Sequence, residues 1–400
     1  MSLAYPESKK AVRISHKGMI NMLRSLRLAA LSALLLIIAS CGNSGTEAER
    51  MTEPAGSKTF MVKGTTDLQK IAQLTGKGSL NETDQYAVYG TDLGSMFTVD
   101  DKTYFVFGDT FGERAEGMTG GGGSYWRSNV MAYSSDRDPS DGMTFEGMIV
   151  DEVGLAKELV PSKKIDYDEM TIIPTHGLSA NGAMYLYFMS VSHWGDPGKW
   201  DANYAGVAKS TDEGQSWSVV DGLQWPGDSG FIQVSPFKVG SSEETDVYFW
   251  SIPSGRFGGV QLMRVKEKHL EELDRYEYFA GLDPQGEPVW SPDMAEAETV
   301  VDDSVGELSV IWNPGLNRWL MTYLREGQGV VLREGLSPWG PWGDPVDLVP
   351  ASQYPGLYAP FMNDRFLSED GKTFYFTLSL WDPYNVFWFR ASLETSEDAG

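Results

Sequence analysis

Cysteine is nearly absent from this sequence: one residue, Cys41, in 400. A disulfide framework is therefore excluded, as is any cysteine-rich zinc or iron–sulfur site. Histidine is almost as scarce, with four residues, which leaves little room for a histidine-rich metal centre. Basic residues are outnumbered, 32 Lys and Arg against 56 Asp and Glu, for a formal net charge of −24. Binding nucleic acid over a broad surface requires Lys and Arg at the phosphates, so that class is excluded too. Beyond residue 39 no apolar run is long enough for a multi-pass helical membrane protein. What is abundant is glycine (44), proline (20) and aromatic side chains (13 Trp, 18 Tyr, 18 Phe). Aromatic runs punctuated by Gly and Pro turns indicate many short strands, an all-β chain.

One apolar run does exist, from Leu28 to Ala39, behind Arg24 and Arg27 and ending in Ile38-Ala39-Ser40-Cys41. A basic start, a short apolar core and small residues at the cut form a secretory signal. The order aliphatic, small, small, Cys resembles a bacterial lipobox. The resemblance implies an exported lipoprotein anchored to the membrane through Cys41, in the outer membrane if the host is Gram-negative. Residues 1–18 are unlike the start of a signal, so Met19 or Met22 is the expected first residue. The expected organisation is a signal peptide with its lipobox cysteine (1–41), a flexible polar tether (42–58), a folded domain (59–394) and a disordered tail (395–400). The segment 1–40 holds six of the basic and one of the acidic residues, so the chain beyond it carries a net −29.

Within the domain one pattern recurs five times. The segments Thr103–Asp109, Met184–Val191, Asp246–Ile252, Arg318–Leu324 and Thr373–Leu380 are short, aromatic and β-rich. Each follows another apolar run and a turn such as Ala180-Asn181-Gly182 or Glu369-Asp370-Gly371, residues that tolerate the positive φ of tight hairpins. Each is followed by a third run: Asn129–Ser134, Tyr204–Ser210, Gly259–Val265, Gly329–Arg333 and Asn385–Ser392. A repeated antiparallel unit that cannot bury its apolar face alone predicts a five-bladed β-propeller, in preference to an irregular sandwich. The C-terminus supplies only three strands for the fifth blade. The segment Thr59–Leu74 is expected to add the fourth and close the ring. Ser210-Thr211-Asp212-Glu213-Gly214-Gln215-Ser216-Trp217 fits an Asp-box turn, with a shortened relative at Ser368–Phe374, and both read as structural rather than catalytic. The charged segment Lys266–Arg275 reads as a short helix or an outer loop.

In a propeller the starts of the inner strands surround one mouth of the central channel. Those starts fall near Asp92, Glu169, Phe231, Glu307 and Tyr358, and three of the five are carboxylates. With the hairpin centred between Asp100 and Asp101, an unbulged ladder sets Asp92 opposite Asp109. Opposed like charges destabilise a sheet, so the pair asks for a chemical reason. Two carboxyls flanking a glycosidic bond supply one: the first protonates the leaving oxygen and the second activates water or attacks. A turn cap or a calcium site are the other readings of the same residues. Arg127, Ser128 and Asn129, His193, Trp194 and Asp196, Arg256, and Trp381, Tyr384 and Asn385 fall on loops at the same mouth. Aromatic faces with Asn, Asp and Arg suit a glycan cleft, so Arg127, Asn129, Glu169, His193, Trp194, Asp196, Arg256, Glu307, Trp381, Tyr384 and Asn385 are candidate substrate contacts. His176 and His193 are expected to be hydrogen-bonding wall residues. No cofactor and no metal is called for, and a monomer is expected.

The strings Tyr89-Gly90-Thr91-Asp92-Leu93-Gly94, Phe107-Gly108-Asp109-Thr110-Phe111-Gly112 and Trp126-Arg127-Ser128-Asn129-Val130 resemble one bacterial family. So do Thr171–Thr175, Trp194–Gly198, Gly255–Gly259 and Tyr384–Val386. It is a former domain of unknown function that includes endo-D-arabinanases, and the likeness runs from about Tyr86 to Phe389. The resemblance implies a five-bladed propeller, hydrolysis of α-linked D-arabinofuranose chains, and Asp92 and Asp109 as the essential acidic pair. His176 departs from the glycine of many relatives. The expectation is a lipid-anchored glycoside hydrolase with Asp109 as acid and Asp92 as base, inverting on family grounds. The alternative is a non-catalytic surface glycan-binding propeller. A sialidase-like enzyme is a third reading, suggested by the Asp box and disfavoured because no Phe/Tyr-Arg-Ile-Pro motif is present and a strongly acidic chain repels an anionic sugar.

Overall fold

The computed structural model describes residues 59–240 and 244–396. The signal segment, Cys41 and the tether lie outside the described residues. Five antiparallel sheets follow one another along the chain. The first comprises β2 (Leu93–Val99), β3 (Lys102–Phe107), β4 (Val130–Ser134) and β5 (Gly147–Met148). The second comprises β6 (Thr171–Ala180), β7 (Ala183–Trp194), β8 (Trp200–Ser210) and β9 (Ser218–Pro226). The third opens with β10 (Gln233–Val239), β11 (Asp246–Ile252) and β12 (Gly258–Lys266). The fourth comprises β16 (Leu308–Asn313), β17 (Arg318–Arg325), β18 (Gly329–Gly335) and β19 (Val346–Pro350). The fifth comprises β20 (Leu357–Leu367), β21 (Thr373–Leu380) and β22 (Asn385–Thr395), with β1 (Val62–Gln73) paired to β22 as its outer strand.

The innermost strands β2, β6, β10, β16 and β20 contact one another in that order, and β20 returns to β2, which makes the sheets the blades of one ring. The recurring aromatic runs are the second strands of the blades. Their rings are buried between blades, among them Phe105, Tyr185, Phe249, Trp250, Tyr323 and Phe376. Each such ring stabilises the ring of blades by about 1.5–3 kcal/mol on area grounds. The hairpin turns carry the expected positive φ at Asp100 (50°), Asn181 (50°), Gly182 (69°) and Gly371 (70°).

The third blade departs from four strands. Its edge divides: β13 (Glu277–Leu282) pairs with the lower half of β12 at Met263 and Arg264, and β15 (Thr299–Val305) with the upper half at Gly258 to Gln261. A sixth strand, β14 (Pro288–Ser291), extends β13 outwards. The charged segment before β13 is two single 3-10 turns, Glu267–His269 and Leu273–Arg275, pinned by the buried Leu270 and Tyr276. The two Asp-box turns are local clips. Asp212 accepts from Ser210, from the Ser216 hydroxyl and from the Ser216 N–H, and Asp370 accepts from Ser368 and the Lys372 N–H.

A buried ion pair holds the N-terminal segment. Arg318 donates to Glu334 at 2.7 Å with both side chains 3% exposed. The second Glu334 oxygen accepts the backbone N–H groups of Met61 and Val62, each at 2.8 Å. The chain therefore enters β1 from the fourth blade and pairs with the fifth. β22 runs through Thr395 and the Ser396 N–H donates to Met61, so the ordered chain passes the boundary expected at residue 394.

Candidate active site

The β2–β3 ladder keeps the predicted pairing from Val99–Lys102 up to Ser95–Val106 and then slips by one. Leu93 (φ 64°) and Gly94 (φ 90°) are both left-handed, a bulge that bends the strand. A Cβ on residue 94 would also lie 2.9 Å from Val386, so only glycine fits there. Leu93 then pairs with Phe107, and the Gly108 N–H donates to the Asp92 carbonyl at 3.1 Å. A compensating extra residue on the other strand restores the pairing at Gly90 and Phe111. The expected direct opposition of Asp92 and Asp109 is thus corrected: Asp92 faces Gly108, and Asp109 stands one residue further on.

The two carboxylates are tied to opposite neighbouring blades. Asp92 accepts from the Tyr358 hydroxyl of β20 at 3.0 Å through Oδ2, while its buried Oδ1 has no protein partner. Asp109 accepts at Oδ1 from Thr171 of β6 at 2.6 Å and from the Trp126 indole at 2.7 Å. Burial raises the pKa of Asp92 to about 8, with the Asp109 charge adding to it and the hydroxyls of Tyr358 and Tyr384 partly offsetting it. Burial also raises Asp109, to about 6, with the Thr171 and Trp126 donors drawing it back. At pH 7 Asp92 holds its proton and Asp109 is mostly ionised.

Both groups line a cavity of about 770 Å³ at the mouth where the inner strands begin. Of the predicted contacts, Trp194, Asp196, Arg256, Glu307, Trp381 and Tyr384 line it as well. Arg256 donates to Glu307 from Nε (3.1 Å) and Nη2 (2.8 Å), and to Glu326 from Nη1 at 2.8 Å. Burial pulls the guanidinium pKa down, but the two carboxylates outweigh it and leave it above its ordinary value. The other Glu307 oxygen is buried without a protein partner. Tyr384 stands edge-on to Trp381 and packs against Phe111, which stacks on Trp126.

Five predicted contacts do not line the cavity. Arg127 is buried, its guanidinium spent on the carbonyls of Tyr86, Ala87, Tyr125 and Ala156. Asn129 clips backbone groups of Leu159, Val160 and Ile172, and Asn385 bonds Thr75 and the Tyr89 carbonyl. These side chains satisfy backbone groups that would otherwise lack partners. Glu169 accepts from Ser190 and the Lys163 N–H, and His193 stacks on Tyr167 at 4.0 Å and bonds Asp166. Phe231, an inner-strand start, is buried against Tyr278. His176 is buried edge-on to Phe361, and burial lowers its pKa to about 4, so it is a neutral wall residue.

Trp126 and Thr171 stand in the family-like strings but, with Glu326 and Tyr358, carried no site role in the sequence. Tyr358 carried a signal, since it opens the fifth inner strand as Asp92 opens the first. Trp126 and Thr171 are sequence neighbours of candidates and reach Asp109 only through the packing of blades one and two.

Fold and site together define a five-bladed propeller with a buried carboxylate pair at one mouth of the ring. Residues 78–390 match the family described as "Domain of unknown function (DUF4185)", and the chain belongs to that family. It is similar to the notoamide biosynthesis cluster protein J' of Aspergillus versicolor, 27% identical over 320 residues that cover 74% of this chain and 82% of the relative. Among solved structures it is similar to a presumed hydrolase from Bacteroides ovatus (TM-score 0.50, 14% identity, 78% of this chain and 89% of that one). The GH43_1 enzyme of Xanthomonas citri matches at TM-score 0.44, with 14% identity over 78% of this chain and 92% of that one.

Proposed function

We propose that this protein is a glycoside hydrolase that cleaves α-D-arabinofuranosyl or a related furanose polysaccharide, held to the cell envelope by a lipid on Cys41. The observation that carries the reading is the Asp92–Asp109 pair, two carboxyls in one cavity whose pKa values are driven apart to about 8 and about 6. Asp92, protonated at neutral pH, gives its proton to the glycosidic oxygen as the bond to the anomeric carbon breaks. Asp109, ionised, takes a proton from the water that attacks that carbon, and solvent restores both groups. This reverses the roles expected from sequence alone, because burial raises both groups but the Asp109 charge adds to it at Asp92, whereas Thr171, Trp126 and Lys164 draw Asp109 back. The bulge that moves Asp92 out of direct opposition supports an inverting course, which needs room for water between the carboxyls. Aromatic walls and Arg256-paired glutamates favour a neutral sugar over an anionic one.

Digestion of D- and L-arabinans with product sizing tests the reading. Release of D-arabinan fragments is expected, with kcat lower by about 10²–10⁴ in Asp92→Asn and in Asp109→Asn. Full activity in both variants would refute the assignment. Oligosaccharide affinity without cleavage by the unmodified protein would favour a glycan-binding propeller instead.

A further inference from the structure

Five aromatic rings are exposed among the described residues: Tyr125, Tyr167, Trp194, Phe257 and Trp381. Tyr125 lies between β3 and β4, Tyr167 between β5 and β6, Trp194 at the end of β7, Phe257 between β11 and β12, and Trp381 between β21 and β22. In antiparallel blades those connections all fall at the end of the ring where the inner strands begin. Exposed aromatics gathered at one end mark a binding face.

Phe257, 50% exposed, stands outside the cavity of the carboxylate pair. It borders a second depression of about 440 Å³, with Asp303, Ser304, Arg325, Glu326 and Gln328. Glu326 lines both spaces. Gly198 adjoins both: a Cβ there would lie 3.1 Å from the Phe257 ring and 3.3 Å from the Glu326 carboxylate. The charges of the depression are matched internally. Asp303 accepts from Arg325, Arg333 and Tyr323, and Glu326 from Arg256. Ser304 and Gln328 are exposed, and each offers a donor and an acceptor. An aromatic face, neutral amide and hydroxyl groups and balanced charges suit an uncharged polyhydroxyl ligand better than an ion.

We infer that the second depression is a subsite that holds sugar residues of a polysaccharide chain beyond the bond at Asp92 and Asp109, with Phe257 as the stacking platform. The inference rests on the hydrolase reading for the position of that bond. The chain leaves the cavity across Glu326, so affinity grows with chain length until the depression is filled.

The test uses an arabinofuranose trisaccharide and octasaccharide, with binding measured by calorimetry on the full chain carrying Asp109→Asn. The octasaccharide is expected to bind about tenfold tighter, as one added aromatic contact supplies. Adding Phe257→Ala abolishes that ratio and Phe257→Trp restores it. A ratio that survives Phe257→Ala, or that is absent from the start, overturns the inference. Octasaccharide digestion by the unmodified protein is run in parallel. Cleavage without a length-dependent ratio overturns the subsite alone. A Phe257-dependent ratio without cleavage supports the subsite and overturns the hydrolase reading alone.

Discussion

The hydroxyl of Tyr358 donates to Oδ2 of Asp92 at 3.0 Å, joining residues 266 positions apart across the seam between the last and the first blade. The bond favours the charged carboxylate and so opposes the burial that raises Asp92. It couples closure of the ring to the proton affinity of the site.

A bell-shaped pH dependence of kcat/KM follows. Activity requires Asp109 ionised and Asp92 protonated, so it rises through about pH 6 and falls through about pH 8. The two limbs belong to the pair rather than to single residues. Tyr358→Phe removes a donor to the carboxylate, and the alkaline limb moves to higher pH. An unmoved limb in that variant would separate Tyr358 from the titration.

Stability carries the same signature. The folded pKa of Asp92 lies above its ordinary value, so between about pH 4 and pH 8 the native state holds a proton that the unfolded chain has released. Stability from this group is present at low pH and is lost as pH rises through the folded pKa. Asp92→Asn removes the buried charge without changing the shape. Its Tm is expected to exceed that of the parent at pH 8.5, with the difference shrinking towards pH 4. Thermal unfolding followed at both pH values reads it out.

Gly108 leaves no room for a side chain beside the acid. A Cβ on residue 108 would lie 2.4 Å from Oδ1 of Asp92, so Gly108→Ala pushes the carboxyl aside. A displacement of about 1 Å costs about a hundredfold in kcat. Far-ultraviolet circular dichroism that matches the parent, measured with the kinetics, separates misplacement from unfolding.

Cys41 carries the membrane attachment in the proposed function. Cys41→Ser is expected to move the protein from the membrane pellet to the soluble fraction while arabinan hydrolysis persists. Sedimentation of cell extracts with activity assays on both fractions checks it, and a variant that still pellets would refute the lipid anchor.

Much of the architecture is legible in the chain because its cause is local. Five aromatic runs, each set between two other apolar runs with Asn, Asp or Gly at the turns, specify hairpins, and hairpins with exposed apolar faces require neighbours. The Asp-box turns are legible for the same reason, since Asp212 bonds only residues within a few positions of itself. Asp92 and Asp109 were legible as a pair because one hairpin carries both.

What lies between blades was not legible. A side chain at a strand end faces either the cavity or an orphaned carbonyl, and Arg127, Asn129 and Asn385 took the second course for reasons set by chain dozens to hundreds of residues away. The sequence by itself determined a propeller with two aspartates at one mouth, because period and turn chemistry act over a few residues. Only the tertiary structure decided that Leu93 and Gly94 bulge against Val386, that Tyr358 and Thr171 take one aspartate each, and that the Trp126 indole gives Asp109 a second donor. Proton affinity depends on the whole shell around a carboxyl, and here that shell is assembled from three blades.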